Sequence, residues 1–228
     1  MSGSSLKKDF TMKKIIAVTA VIATLAPAIA FAGPSLGLAY SDVGLSGHSG
    51  RPGVSISAGN LYRNNVVATG SAAFARGFYS AQAKIGKHIA ASGVIVEPYV
   101  SAGFINMNYS QQEKGGVTST TTTGPGGFQL IQFTQQYYPQ PQTIQDFYAL
   151  AGADMYVPIG QKVSVELGGA YGHTLMTFGG SNGAVYSGKA ALNVGLAKHV
   201  SSSLQVTYLH VPGQSVTEYG AGISYHFS

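Results

Sequence analysis

Seven ionisable side chains fall in the polar phase of alternating segments: Lys84, Glu97, Asp146, Asp154, Glu166, Lys189 and Glu218. Asp154 and Glu166 flank the turn at Pro158–Gln161. Two carboxylates approaching across such a turn have the makings of a general acid/base pair. The competing reading is a network of charges that holds neighbouring segments in register, and it accounts for the lysines as well. If the turn at Ile89–Gly93 is tight, Lys84 and Glu97 come out nearly opposite each other as an ion pair. No His or Ser stands in phase beside Asp154 and Glu166 to complete a hydrolytic set. Gly179-Gly180-Ser181-Asn182-Gly183 matches the nucleophile-elbow pattern G-x-S-x-G, but no helix follows it. Asn182-Gly183 between two alternating runs reads as a hairpin turn instead. The six histidines, His48, His88, His173, His199, His210 and His226, share no metal-ligand spacing. The chemistry expected is a polar network, with no catalytic residue, metal or cofactor.

These side chains are carried by segments with a period of two, the signature of strands with one greasy and one wet face. Ten are expected, over 35–43, 53–62, 66–75, 78–88, 94–109, 146–157, 163–175, 184–198, 204–211 and 216–227. In 146–157, Phe147, Ala149, Ala151, Ala153, Met155 and Val157 alternate with Asp146, Tyr148, Gly152, Asp154 and Tyr156. In 184–198, Tyr186, Ala190, Leu192, Val194 and Leu196 alternate with Ser187, Lys189, Asn193 and Gly195. The segments are long enough to cross a hydrocarbon layer when tilted, which takes about 9–11 residues. Charge buried in lipid is costly, so the seven ionisable residues should face the inside of a closed barrel. The expected fold is therefore all-β, a transmembrane antiparallel up-and-down barrel. Eight strands is the alternative to ten, because the hairpin at Arg76-Gly77 is cramped. Short turns at 63–65, 89–93, 158–161 and 199–203 fall on one side, and longer connections at 44–52, 110–145 and 176–183 on the other.

Residues 1–32 read as an export leader. Lys13-Lys14 precede an apolar run from Ile15 to Ala26, Pro27 breaks it, and Ala30-Phe31-Ala32 supplies a cleavage pattern before Gly33. The true start is expected at Met12, with cleavage after Ala32. Without the leader, residues 33–228 carry nine basic and seven acidic side chains, a net charge of +2. There is no basic run and no aromatic–Arg/Lys interleaving, so nucleic acid is not an expected partner. The chain has no cysteine, so a bilayer or a core must stabilise the exported protein.

The C-terminal strand alternates strictly: Tyr219, Ala221, Ile223, Tyr225 and Phe227 on one face, Glu218, Gly220, Gly222, Ser224 and His226 on the other. Its tip resembles the C-terminal assembly signal of bacterial outer-membrane β-barrels, with Ser228 as an extra residue after the aromatic. Leader, even number of amphipathic strands and aromatic last strand together resemble the small OmpA/opacity-type barrel group. The resemblance implies a Gram-negative outer membrane, lipid contact and insertion by the barrel-assembly machinery, with Tyr219, Ile223, Tyr225 and Phe227 as the assembly strand. It implies no single activity. The leading expectation is a non-enzymatic structural or surface-interacting protein. A narrow, porin-like channel for ions or small solutes is the alternative, ahead of an outer-membrane hydrolase or a soluble secreted β-sandwich.

Segment 110–145 has its own composition, with a threonine tract, Gly124-Pro125-Gly126-Gly127 and a Gln- and Tyr-rich stretch. It is expected as a long outer loop, mobile by default, in which Phe128, Leu130, Ile131 and Phe133 hint at a small extra hairpin. Tyr137 and Tyr138 are the contact candidates for an extracellular or host-surface ligand, because Tyr supplies interface area at low entropic cost.

Overall fold

The computed structural model describes residues 33–46, 49–123, 125 and 129–227. The leader with its cleavage after Ala32, Phe128 and Ser228 lie outside them. The described residues form eleven strands: β1 Pro34–Leu45, β2 Arg51–Leu61, β3 Val66–Ala75, β4 Phe78–Lys87, β5 Ile89–Ala91, β6 Val94–Thr123, β7 Gln129–Pro158, β8 Val163–Phe178, β9 Ala184–Ala197, β10 Val200–Val211 and β11 Gln214–His226. Each long strand pairs antiparallel with its neighbours in sequence, β1 pairs with β11, and β4 pairs with β6 past the short β5. This closes a barrel of ten strands and leaves no open sheet edge in the membrane, as a β-protein in lipid requires. The seam aligns Ser35 with His226 and Leu45 with Val216, and Phe227 N donates to Pro34 O at 2.8 Å.

The outer face follows from the alternation. Leu36, Leu38, Val100, Leu167, Leu204 and Ile223 are all more exposed than buried or nearly so, forming the apolar skin that meets acyl chains. Aromatic pairs, Tyr225 with Phe227 at 4.8 Å and Phe104 with Phe147 at 4.5 Å, lie on the same skin. The cramped hairpin at Arg76-Gly77 is a tight turn, made with Gly77 at φ +66°, a backbone state that glycine adopts without steric cost. Ten strands is therefore the count.

Three expectations are corrected. Residues 200–203 belong to β10, so the β9–β10 turn is Lys198-His199 only. The connections on the side opposite the termini are short too, at 46–50, 76–77, 179–183 and 212–213. In its described residues segment 110–145 is no irregular loop: β6 runs on to Thr123 and β7 starts at Gln129, so the hint of a hairpin extends to two long strands, paired from Ile95–Tyr156 out to Thr123–Gln129 with one slip.

Inside the barrel, at the end opposite the termini, an apolar layer crosses the lumen. Val43, Leu45, Phe78, Ile105, Met107, Ile144, Tyr148, Leu150, Val185, Val211 and Val216 form one buried cluster. These positions share the inward phase of their strands but lie at the outer ends, where lipid no longer claims the apolar residues. Gly103 is part of this fit: a Cβ there would collide with the Tyr148 ring.

Candidate functional site

Below the apolar layer the lumen is polar. A cavity of about 370 Å³ runs from Phe78, Tyr148, Leu209 and Val216 of that layer to Ser35, Gly59 and Ser224 near the end that carries the termini. One wall is made of small hydroxyl residues of β1–β4 and β9–β11, among them Ser55, Ser57, Ser71, Ser80, Ser187 and Ser203. The opposite wall carries charge. Lys84 Nζ lies 2.7 Å from Glu97 Oε1 and 2.7 Å from Asp154 Oδ2. Its ammonium also sits 4.7 Å from the centre of the Tyr99 ring. Glu97 Oε2 takes His88 Nε2 at 2.8 Å and accepts a hydrogen bond from the Tyr156 hydroxyl at 3.2 Å. One strand along, Lys189 Nζ meets Glu166 Oε1 at 2.7 Å. Glu97, Asp154 and Glu166 are 0, 3 and 5 % exposed, so their charges depend on these partners.

The structure brings Lys84, Glu97 and Asp154 into one group and Glu166 and Lys189 into another. Lys84 does not lie directly opposite Glu97: its register partner is Ser101, and it reaches Glu97 diagonally. Asp154 and Glu166 do not pair with each other across their turn. Asp154 lies opposite Gly168 and Glu166 opposite Tyr156, and each carboxylate turns to a lysine, which neutralises a charge that the other carboxylate would repel. Gly168 makes room for this, since a Cβ there would collide with the Asp154 carboxylate. His88 is the residue the sequence reading missed beside these carboxylates, although it stands four positions beyond Lys84 in the same phase. Asp146 is buried higher up, opposite Thr177, and Glu218 lines the cavity on the far wall. The G-x-S-x-G segment is the β8–β9 turn, where Gly179 has φ +77° and Gly183 N donates to Thr174 Oγ1 at 2.9 Å.

The second feature is the continuation of β6 and β7. The last barrel partners are Phe78 for Met107 and Phe178 for Gln145, and beyond these the two strands are in register with each other. The resulting arm would reach roughly 50 Å past the barrel at the usual rise per strand residue. Its root is braced: Asn108 N donates to Gly77 O at 2.7 Å, and Arg51 Nη1 donates to Arg76 O at 3.0 Å and Asn108 O at 2.8 Å. The ladder slips between Lys114 and Val117, and Gln135 Nε2 covers the gap by donating to Gly115 O at 2.6 Å. Val117, Ile131 and Phe133 share one face of the ribbon with Ser119 and Thr121, while Thr118, Thr120, Thr122 and Thr134 occupy the other with Leu130. Tyr137 and Tyr138 lie on opposite faces, both exposed, and the Tyr138 ring covers Gly115.

No protein-family model and no curated protein matches the sequence. Among solved structures, the chain is similar to the outer-membrane protease OmpT from Escherichia coli, at 6 % identity and TM-score 0.52, covering 86 % of this chain and 96 % of that one. It is similar to the translocator domain of the autotransporter NalP from Neisseria meningitidis at 12 % identity and TM-score 0.42, over 96 % and 98 % of the two chains. For the KdgM porin in complex with disordered oligogalacturonate the values are 10 % and 0.42, over 84 % and 99 %. The likeness to OmpT, at so low an identity, shows a shared fold and nothing finer. The fold is that of the bacterial outer-membrane β-barrels.

Proposed function

We propose that this protein is a non-enzymatic outer-membrane barrel with a structural and surface-contact role, exercised through the β6–β7 arm. The observation that carries this reading is the pairing of an apolar layer across the lumen with two strands that continue past the barrel rim, charged only at Glu113 and Lys114. A layer that excludes water between the outer mouth and the polar cavity gives a solute no hydrated path. An arm braced at its root by Arg51 presents Tyr137, Tyr138 and Phe133 away from the bilayer. The ion network then serves register and stability, because each of Glu97, Asp154 and Glu166 is engaged by lysine. Residues 1–32 act as the export leader in this reading, and Tyr219, Ile223, Tyr225 and Phe227 form the strand that the insertion machinery recognises.

Conductance in planar bilayers tests this directly. The folded protein is expected to show no steady openings, and protease added outside intact cells is expected to cut within 110–145. The narrow-channel reading is favoured by the polar cavity alone; steady openings that vanish on Lys84→Met or Glu97→Gln would establish it in place of the closed barrel.

A further inference from the structure

The arm has two free edges, and its β7 edge is unprotected. Proteins normally guard an exposed strand edge with lysine, proline, a bulge or a covering element. From Gly115 to Gln145 the chain contains no Asp, Glu, Lys, Arg or His. From Gln129 to Tyr138 the β7 edge carries no proline, its ladder to β6 slips once, at Gln136, with the extra residue on β6, and it is rich in β-formers: Ile131, Phe133, Thr134, Tyr137 and Tyr138. The β6 edge is different, because Glu113, Lys114 and the slip at Gly115-Gly116 interrupt it.

We infer that the β7 edge of the arm, Gln129–Tyr138, pairs antiparallel with the same edge of a second copy of this chain on an apposed membrane. This rests on the surface-contact reading above and names the partner. A neutral edge neither selects a partner of opposite charge nor repels its own kind, so self-pairing meets no electrostatic penalty. Pro139 and Pro141 lack an N–H and end the edge that can pair. Two copies bounded by the same prolines share one window of register, centred on Phe133 and Thr134. Two barrels in one membrane point their β7 strands the same way, which allows only parallel pairing of these edges. Antiparallel pairing, the more stable arrangement per residue, joins arms from facing membranes. Four strands then replace two, and Ile131 and Phe133 of each copy gain cross-strand apolar neighbours on one face.

The absence of cysteine makes the test clean. Single variants Gln129→Cys, Ile131→Cys, Phe133→Cys, Thr134→Cys, Gln136→Cys, Tyr138→Cys and Val117→Cys of the mature barrel are reconstituted in vesicles, with folding checked by heat-dependent gel mobility. Two vesicle populations are mixed under mild oxidation and disulfide-linked dimers are quantified. Directly opposed residues on paired strands are close enough for a disulfide. Dimer yield is expected to peak at Phe133→Cys or Thr134→Cys, to fall several-fold by Gln129→Cys and Tyr138→Cys, and to be at background for Val117→Cys. A flat profile along 129–138 would mean parallel pairing of copies in one membrane and overturns the proposal, as does a maximum at Val117→Cys or no dimer at any position. Protease on sealed vesicles separates the two levels of inference. Arms that are cut but never cross-linked refute self-pairing and leave the contact role standing, whereas arms that no external protease reaches refute the contact role itself.

Discussion

Replacing Lys84 by methionine should be the most damaging single change in the lumen. The ammonium is 2.7 Å from both Glu97 and Asp154, and the two carboxylates are almost wholly buried. Methionine keeps most of the volume and removes the cation, leaving two negative charges in a confined space. Removing one partner of a buried pair costs about 3–5 kcal/mol, because the remaining charge loses its compensation. Glu97 retains His88 and the Tyr156 hydroxyl, while Asp154 loses its lysine, so a value near 4 kcal/mol is expected, within that range. With a urea dependence of about 2 kcal/mol per molar, the unfolding midpoint should fall by about 2 M. The chain has no tryptophan, so far-ultraviolet circular dichroism of the barrel in detergent micelles is the suitable signal. Lys189→Met is the internal comparison: its side chain is about one-third exposed, solvent screens the pair, and the expected loss is about 1 kcal/mol. The triple variant Lys84→Met/Glu97→Gln/Asp154→Asn, which removes the stranded charges along with the lysine, should recover most of the loss. A Lys84→Met midpoint no lower than that of Lys189→Met would refute the reasoning that the three-residue group is the electrostatic centre of the barrel.

Other outcomes follow from the same geometry. Ile105→Ser combined with Met107→Ser should hydrate the apolar layer and produce channel openings in planar bilayers that the unaltered protein lacks. Those openings should favour cations, since Asp154, Glu166 and Glu218 outnumber Lys84 and Lys189 around the cavity. Gly103→Val should displace the Tyr148 ring and lower barrel stability by about 1–3 kcal/mol, the usual cost of overpacking, read by urea unfolding. Arg51→Ala should leave the barrel intact but speed amide exchange at residues 109–123 and 129–142, because the arm loses the side chain that ties Asn108 to Arg76. On intact cells trypsin has a single site beyond the arm's root, Lys114, whereas chymotrypsin has Phe128, Phe133 and Tyr137, the Tyr138-Pro139 bond being resistant, so cleavage sites mapped by mass spectrometry should follow that split.

The membrane-facing half of the molecule was legible in the sequence because lipid and lumen impose opposite polarities on successive residues. Where both conditions hold, as along Phe147–Val157, the period of two appears and the strand can be placed to within a residue or two. The arm was legible only as a hint of a small hairpin at Leu130, Ile131 and Phe133, because water touches both of its faces. With no polarity difference to record, Thr118–Thr123 and Gln129–Gln136 show β-propensity without alternation, and the composition reads as loop. The apolar layer escaped for a related reason. Val43, Leu45, Val211 and Val216 sit in the inward phase near strand ends, where the alternation set by lipid has already stopped. Lys84 with Glu97 could be anticipated because a short turn links their strands. The contact of Lys84 with Asp154 depends on lumen curvature, since their strands are not neighbours, and nothing in local spacing reports it.

The seam between β1 and β11 joins residues from the two ends of the described chain, Ser35 with His226 and Leu45 with Val216. Every other wall of the cylinder is stitched between strands that follow one another along the polypeptide, β5 aside. Loop-closure entropy therefore places the seam last in the order of zippering. Until that moment the final strand presents a free row of amides and carbonyls beside its greasy flank, a half-built wall awaiting its first plank. Whatever escorts this protein into the bilayer must shield that row and then surrender it, so the rate of productive folding is governed at one joint rather than spread over ten.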